Sequence, residues 1–247
     1  MPTDRTRSAV RADHALITPE SHVPIAIPGW RTDETVVMLS REMGAKFAQM
    51  AVTLGDDALV TALADDEEYF LFVLSGSATL TLEGDAREFA TEHFAYLPPG
   101  TDWKLTDGGG AARVLMFVKR YEPAPGVDAP RPIVRPLAEV PGEPFLGDEG
   151  ALLQVMLPDD DPAFDWGVNV FEFVPGGTLP QVESHFMEHG LYLIDGQGVY
   201  RLGDAWYTVE AGDAIWMSPY LLQWFAATGK TPSRYIYYKE MNRAPAI

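Results

Sequence analysis

Between Phe70 and Trp103 the chain reads as short runs in which apolar and polar residues alternate, and the same texture returns between Gly190 and Trp224. A period of two marks a half-buried β-strand, because successive side chains leave opposite faces. Glycine, proline or acidic turns break the runs about every 8–12 residues, a spacing that predicts an all-β sandwich or barrel. The segment GVYRLGDAWYTV, for example, reads as strand, Gly–Asp turn, strand, which predicts a hairpin.

The two stretches are copies of one pattern. An offset of 120 places Gly76 on Gly196, Tyr96 on Trp216, Pro99 on Pro219 and Lys119 on Lys239. An internal repeat of this kind predicts two tandem units. The proline-rich segment YEPAPGVDAPRP, residues 121–132, reads as the linker. The expected division is 1–125 and 126–247, with the poorly periodic first forty residues packing around the first unit.

Composition narrows the function classes. The 36 acidic residues against 18 basic ones give a net charge of −18, which repels phosphate backbones and anionic lipid. Neither nucleic acid nor membrane is therefore an expected partner. There is no cysteine, so any metal must sit on nitrogen and oxygen ligands. The beginning of the sequence lacks the apolar stretch of a signal peptide and no run approaches transmembrane length, so a soluble cytoplasmic protein is expected.

The densest chemistry lies in ESHFMEH, residues 183–189. A helix would put His185 and His189 on one face, but no helix of useful length fits between Pro180 and Gly190. An extended strand instead sends Glu183, His185 and His189 to one side, with Ser184, Phe186 and Glu188 facing away. Tyr235, Tyr237 and Lys239 likewise share a face if YIYYKE is a strand. His14, His22 and His93 fall in unpatterned sequence and are expected in solvent, while Trp206, Trp216 and Trp224 are read as packing.

Gly177, five residues, Glu183-x-His185, three residues, His189, six residues and Gly196 resemble the first cupin motif with Glu and His exchanged. Counting the second motif from Gly212 reaches Gln223 where a histidine is usual. This variant, together with YRLGDAWYTVEAGDAIWM and the closing YIYYKEMNR, resembles the (S)-ureidoglycine aminohydrolases, a two-cupin family. The resemblance implies an all-β fold of two tandem cupin (jelly-roll-like) β-barrels and one Mn²⁺ per chain on Glu183, His185, His189 and Gln223 in the second. It implies a small-molecule ureido substrate, (S)-ureidoglycine, hydrolysed to (S)-ureidoglycolate and ammonia in purine degradation. Carried over residue by residue, the substrate contacts are Glu183, Tyr200, Tyr235 and Lys239, with Lys239 and Glu183 as the catalytic acid–base pair. A homo-oligomer is also implied. Shifting the four metal positions back by 120 gives Leu63, Asp65, Tyr69 and Trp103, so the first barrel is expected to hold no metal. Rival readings are another metal-dependent cupin enzyme (a dioxygenase, or an isomerase or lyase) and a non-catalytic small-ligand-binding bicupin.

Overall fold

The computed structural model describes residues 6–243. Among them there is no α-helix, only three short 3-10 turns, and the strands pair antiparallel. The chain forms two compact units, Val23–Glu139 and a second made of Met1–His22 together with Val140–Ile247.

In the first unit a six-stranded sheet runs Ile133–Pro136, His93–Leu97, Glu67–Ser75, Ala112–Arg120, Phe47–Leu54, Glu34–Leu39. A four-stranded sheet runs Leu59–Thr61, Trp103–Asp107, Ser77–Leu82, Asp85–Ala90. Their inward positions, among them Leu71, Val73, Leu80, Leu105, Val114 and Met116, are essentially inaccessible and form one core. In the second unit the larger sheet has eight strands, and Gln197–Leu202 lies between Ala205–Glu210 and Gln223–Thr228 in a facing three-stranded sheet. The alternation in the sequence is thus the alternation of barrel interior and exterior. Gly76 and Gly196 occupy the same turn in the two copies, at φ 79° and 77°. A Cβ there would lie 2.1 Å from the Ala111 carbonyl and 2.6 Å from that of Pro232, so only glycine fits.

The unit boundaries differ from those expected. Residues 126–139 stay with the first unit, because Ile133–Pro136 pairs with His93–Leu97. Of the first forty residues, 23–40 do belong with the first barrel, where Glu34–Leu39 pairs with Phe47–Leu54, but the described residues before them do not. His14–Ile17 pairs with Ala214–Met217, and Leu16 enters the core of the second unit. His14 is buried rather than solvated, its Nε2 2.8 Å from the Tyr207 hydroxyl and its Nδ1 2.8 Å from Asp13. His93 is half-buried and accepts from the Ala90 amide at 3.3 Å.

Arg7 ties the same segment down through a fork of 2.6 and 2.9 Å to Asp213, whose side chain is fully buried. Removing one partner of such a pair strands the other charge in a low-dielectric site. Arg7→Met is expected to cost about 2 kcal/mol, less than for a wholly buried pair because Arg7 is partly exposed. Urea unfolding should register that loss, and Asp213→Asn in the same chain should restore part of it.

The repeat also slips. Asp107 and Ala227 are equivalent, since they pair with Ala78 and Gly198, but Arg113 matches Arg234, since they pair with Ser75 and Asp195. The offset passes from 120 to 121 because the second copy carries one extra residue in that turn. A slip of one residue reverses the face of every side chain. Lys239 stands opposite His189 and lines the interior, while its counterpart opposite Tyr69 is Val118. Lys119 is therefore not the equivalent of Lys239; it lies on the other face, 3.4 Å from buried Glu68.

Candidate active site

A cavity of about 160 Å³ opens inside the second barrel. Glu183, His185, His189, Tyr200, Gln223, Tyr235 and Lys239 all line it, as does Tyr237, with an apolar wall that includes Phe171, Met187 and Met217. In the first barrel Tyr69 stands at the position of His189 and Trp103 at that of Gln223, their rings 5.1 Å apart and edge to face. Burial pushes the Tyr69 phenol up to about 12, so it stays protonated at neutral pH.

The segment 183–189 is not one strand. Glu183 makes an isolated antiparallel bridge to Gln223, with backbone distances of 2.9 and 3.0 Å, at the edge of the three-stranded sheet. A bend at Phe186 follows, and His189 begins a strand of the facing sheet. The side chains gather because this stretch crosses from one wall of the barrel to the other, not because of parity along a strand. Glu188 leaves on the opposite side, where its carboxylate accepts from the Trp216 indole at 3.2 Å. Trp206 is more exposed than packing alone implies, at 58%, and meets Trp224 edge to face.

The two imidazoles approach closely, Nε2 to Nε2 at 3.3 Å. His189 Nδ1 lies 2.9 Å from the Tyr238 carbonyl, which can only accept, so Nδ1 carries the proton and Nε2 is bare. Burial holds the His189 ring neutral, lowering it to about 3, and burial lowers His185 as well. His185 Nε2 accepts from the Gln223 amide nitrogen at 3.0 Å, and its Nδ1 is buried with no hydrogen-bond partner among the described residues. Two ring nitrogens without protons thus face each other, that of His189 bare and that of His185 holding only the Gln223 N–H, an arrangement suited to a cation shared between them once the amide turns away.

A carboxylate and an amide oxygen beside two imidazoles make a donor set that fits a hard or borderline divalent metal. The fourfold convergence expected from the sequence is nevertheless incomplete. Among the described residues no three His, Asp or Glu side chains form a group that could hold an ion. Gln223 turns its nitrogen to His185 and its Oε1 to the Tyr200 hydroxyl, at 3.4 Å, so that an end-for-end turn of the amide is needed to present oxygen. Burial raises the Glu183 carboxyl and Lys239 draws it back down.

Lys239 is itself lowered by burial, with Asp159 and Glu183 opposing that shift. Its stem lies over Gly167, the residue directly across the ladder. A Cβ on Gly167 would meet the Met241 sulfur at 2.3 Å and the Lys239 Cε at 3.1 Å. Glycine leaves room here for both the Met241 sulfur and the lysine stem, a reason the sequence does not announce. Gly167→Ala is expected to displace the ammonium and lower turnover about tenfold, the scale of a small misplacement of a reacting group. Steady-state kinetics with an unchanged thermal midpoint would separate this from misfolding.

A cupin domain family matches residues 169–238. (S)-Ureidoglycine aminohydrolase of Arabidopsis thaliana is 39% identical over 246 residues, 97% of this chain and 80% of the relative. The Escherichia coli K12 protein of the same name is 31% identical over 233 residues, 93% of this chain and 88% of its own. The crystal structure of protein Ylba from E. coli superposes with a TM-score of 0.87 at 29% identity, covering 98% of this chain and 97% of that one. Oxalate decarboxylase of Bacillus subtilis, at 12% identity and a TM-score of 0.72 over 98% of this chain and 80% of its own, shares the two-barrel fold. With this identity over almost its whole length, the chain belongs to the (S)-ureidoglycine aminohydrolase family.

Proposed function

We propose that the protein hydrolyses (S)-ureidoglycine to (S)-ureidoglycolate and ammonia in the cavity of its second barrel. The observation that carries this reading is the meeting of Glu183, two imidazoles, Gln223, Tyr200, Tyr235 and Lys239 around one small cavity in a chain of this family. Manganese is the metal proposed, held by Glu183, His185, His189 and Gln223, and when bound it supplies a Lewis-acid centre that favours departure of the amine.

The remaining roles belong to the chain. Lys239 carries an ammonium whose proton can pass to the leaving amino nitrogen. Glu183, raised by burial, is suited to take a proton from the water that replaces the amine at the same carbon. The buried rings of Tyr200 and Tyr235 confine the substrate and exclude bulk water, so that water reaches one face of the stereocentre. Manganese-loaded protein mixed with freshly generated (S)-ureidoglycine should release ammonia faster than the spontaneous decay and yield one product enantiomer. Ammonia release at the rate of decay, with racemic product, would overturn the assignment.

A further inference from the structure

Three phenols line the cavity, and two of them bear on each other and on Gln223. Tyr200 donates to Gln223 Oε1 at 3.4 Å, and the Tyr235 hydroxyl leans on that of Tyr200. Tyr237 differs. Its oxygen accepts from Asn169 Nδ2 at 3.1 Å, which turns its own proton toward a different acceptor. Its ring is held by a stack on Phe171, at 5.6 Å and 13°, and by an edge contact with His189 at 5.3 Å.

Asn169 is a costly residue in this place. It is fully buried, directly opposite Tyr237 in the ladder, and shares its face of the strand with Phe171 and Phe173. Its Oδ1 has no hydrogen-bond partner among the described residues. Leucine would serve this apolar row better, so the amide needs a reason to be there. Its single hydrogen bond, to Tyr237, supplies one.

We infer that Tyr237 donates a hydrogen bond to the ureido carbonyl oxygen of the substrate and that Asn169 positions it. The inference rests on the proposed ureidoglycine activity. Lys239, the next inward residue of the same strand, is the proton donor to the leaving amine. A neutral phenol donor suits a neutral carbonyl. Tyr237 thereby discriminates for the ureido group, since a ligand lacking it leaves the phenol unpaired.

The test is calorimetry on manganese-loaded protein with two ligands. One is (S)-ureidoglycolate; the other is glycolate, which keeps the carboxylate and hydroxyl but has no ureido group. Tyr237→Phe is expected to weaken ureidoglycolate about tenfold and leave glycolate within about twofold. Asn169→Leu should weaken ureidoglycolate part of the way, with no further loss when added to Tyr237→Phe, because both act through one hydrogen bond. Asn169→Ser serves if the leucine variant does not fold. Equal weakening of both ligands, or unchanged ureidoglycolate binding in Tyr237→Phe, overturns the inference. Wild-type protein that releases no ammonia overturns the activity as well, whereas wild-type turnover with an unaltered KM in Tyr237→Phe overturns this inference alone.

Discussion

A Lys239→Met protein is expected to keep its fold and lose about a hundred- to ten-thousandfold of its ammonia-releasing turnover, the range of a general acid removed from a reacting centre. Methionine preserves the apolar stem that lies over Gly167 and removes only the charge. The pH profile carries a second signature. Burial lowers the Lys239 pKa, so the ammonium is lost at lower pH than in a free lysine. If that ammonium gives up the proton, the wild-type rate falls on the alkaline side through this lowered value. The same limb should be missing from the residual activity of the variant. Manganese content of the variant, measured by elemental analysis, should match wild type. Full turnover in Lys239→Met with normal metal content would sink the role assigned to this residue.

The metal-free protein should lose stability as pH falls between about 6.5 and 3, and His189 should account for much of the loss. Its ring is buried and held neutral, at about 3 against 6.5 for a free imidazole. Above 6.5 neither folded nor unfolded chain protonates it. Below 6.5 the unfolded chain takes up a proton that the folded chain refuses, so unfolding gains until pH reaches the folded value. The difference amounts to an order of 4 kcal/mol across the window. His185 is lowered by burial in the same direction and adds to it. Urea unfolding of metal-free protein at pH 7, 5 and 4 measures the slope. His189→Gln should flatten it, and an equal slope in the variant would show that the acid sensitivity lies elsewhere.

Much of the barrel architecture was open to reading because its signals are local. Alternation, turn residues and a repeat marked by Gly76 and Gly196 need only neighbouring positions to be seen. The family resemblance brought Glu183, His185, His189 and Gln223 together in one prediction, and all four line the same cavity. Parity along a strand, however, is not what brings the first three together. Parity assumed one strand, whereas the segment bends at Phe186 and spans two sheets. What remained hidden depended on distant partners. One extra residue in a turn set Lys239 on the inner face and Lys119 on the outer, a slip that an ungapped alignment conceals. His14 looked unpatterned because its partners Tyr207 and Met217 lie some two hundred positions away. Asn169 carried no signal at all, since a lone asparagine between valines declares neither its burial nor its neighbour.

The strand His14–Ile17 is made some two hundred residues before the strand it joins, Ala214–Met217. The larger sheet of the second barrel therefore cannot close until both segments have been made, and so long-range a pairing slows its assembly. A fragment cut at the apparent linker would carry every residue of the cavity and still have an open edge beside the strand that starts at His189. The barrel that holds the cavity is thus not a cassette that can be lifted out at the linker, because one of its strands lies about a hundred residues upstream of it.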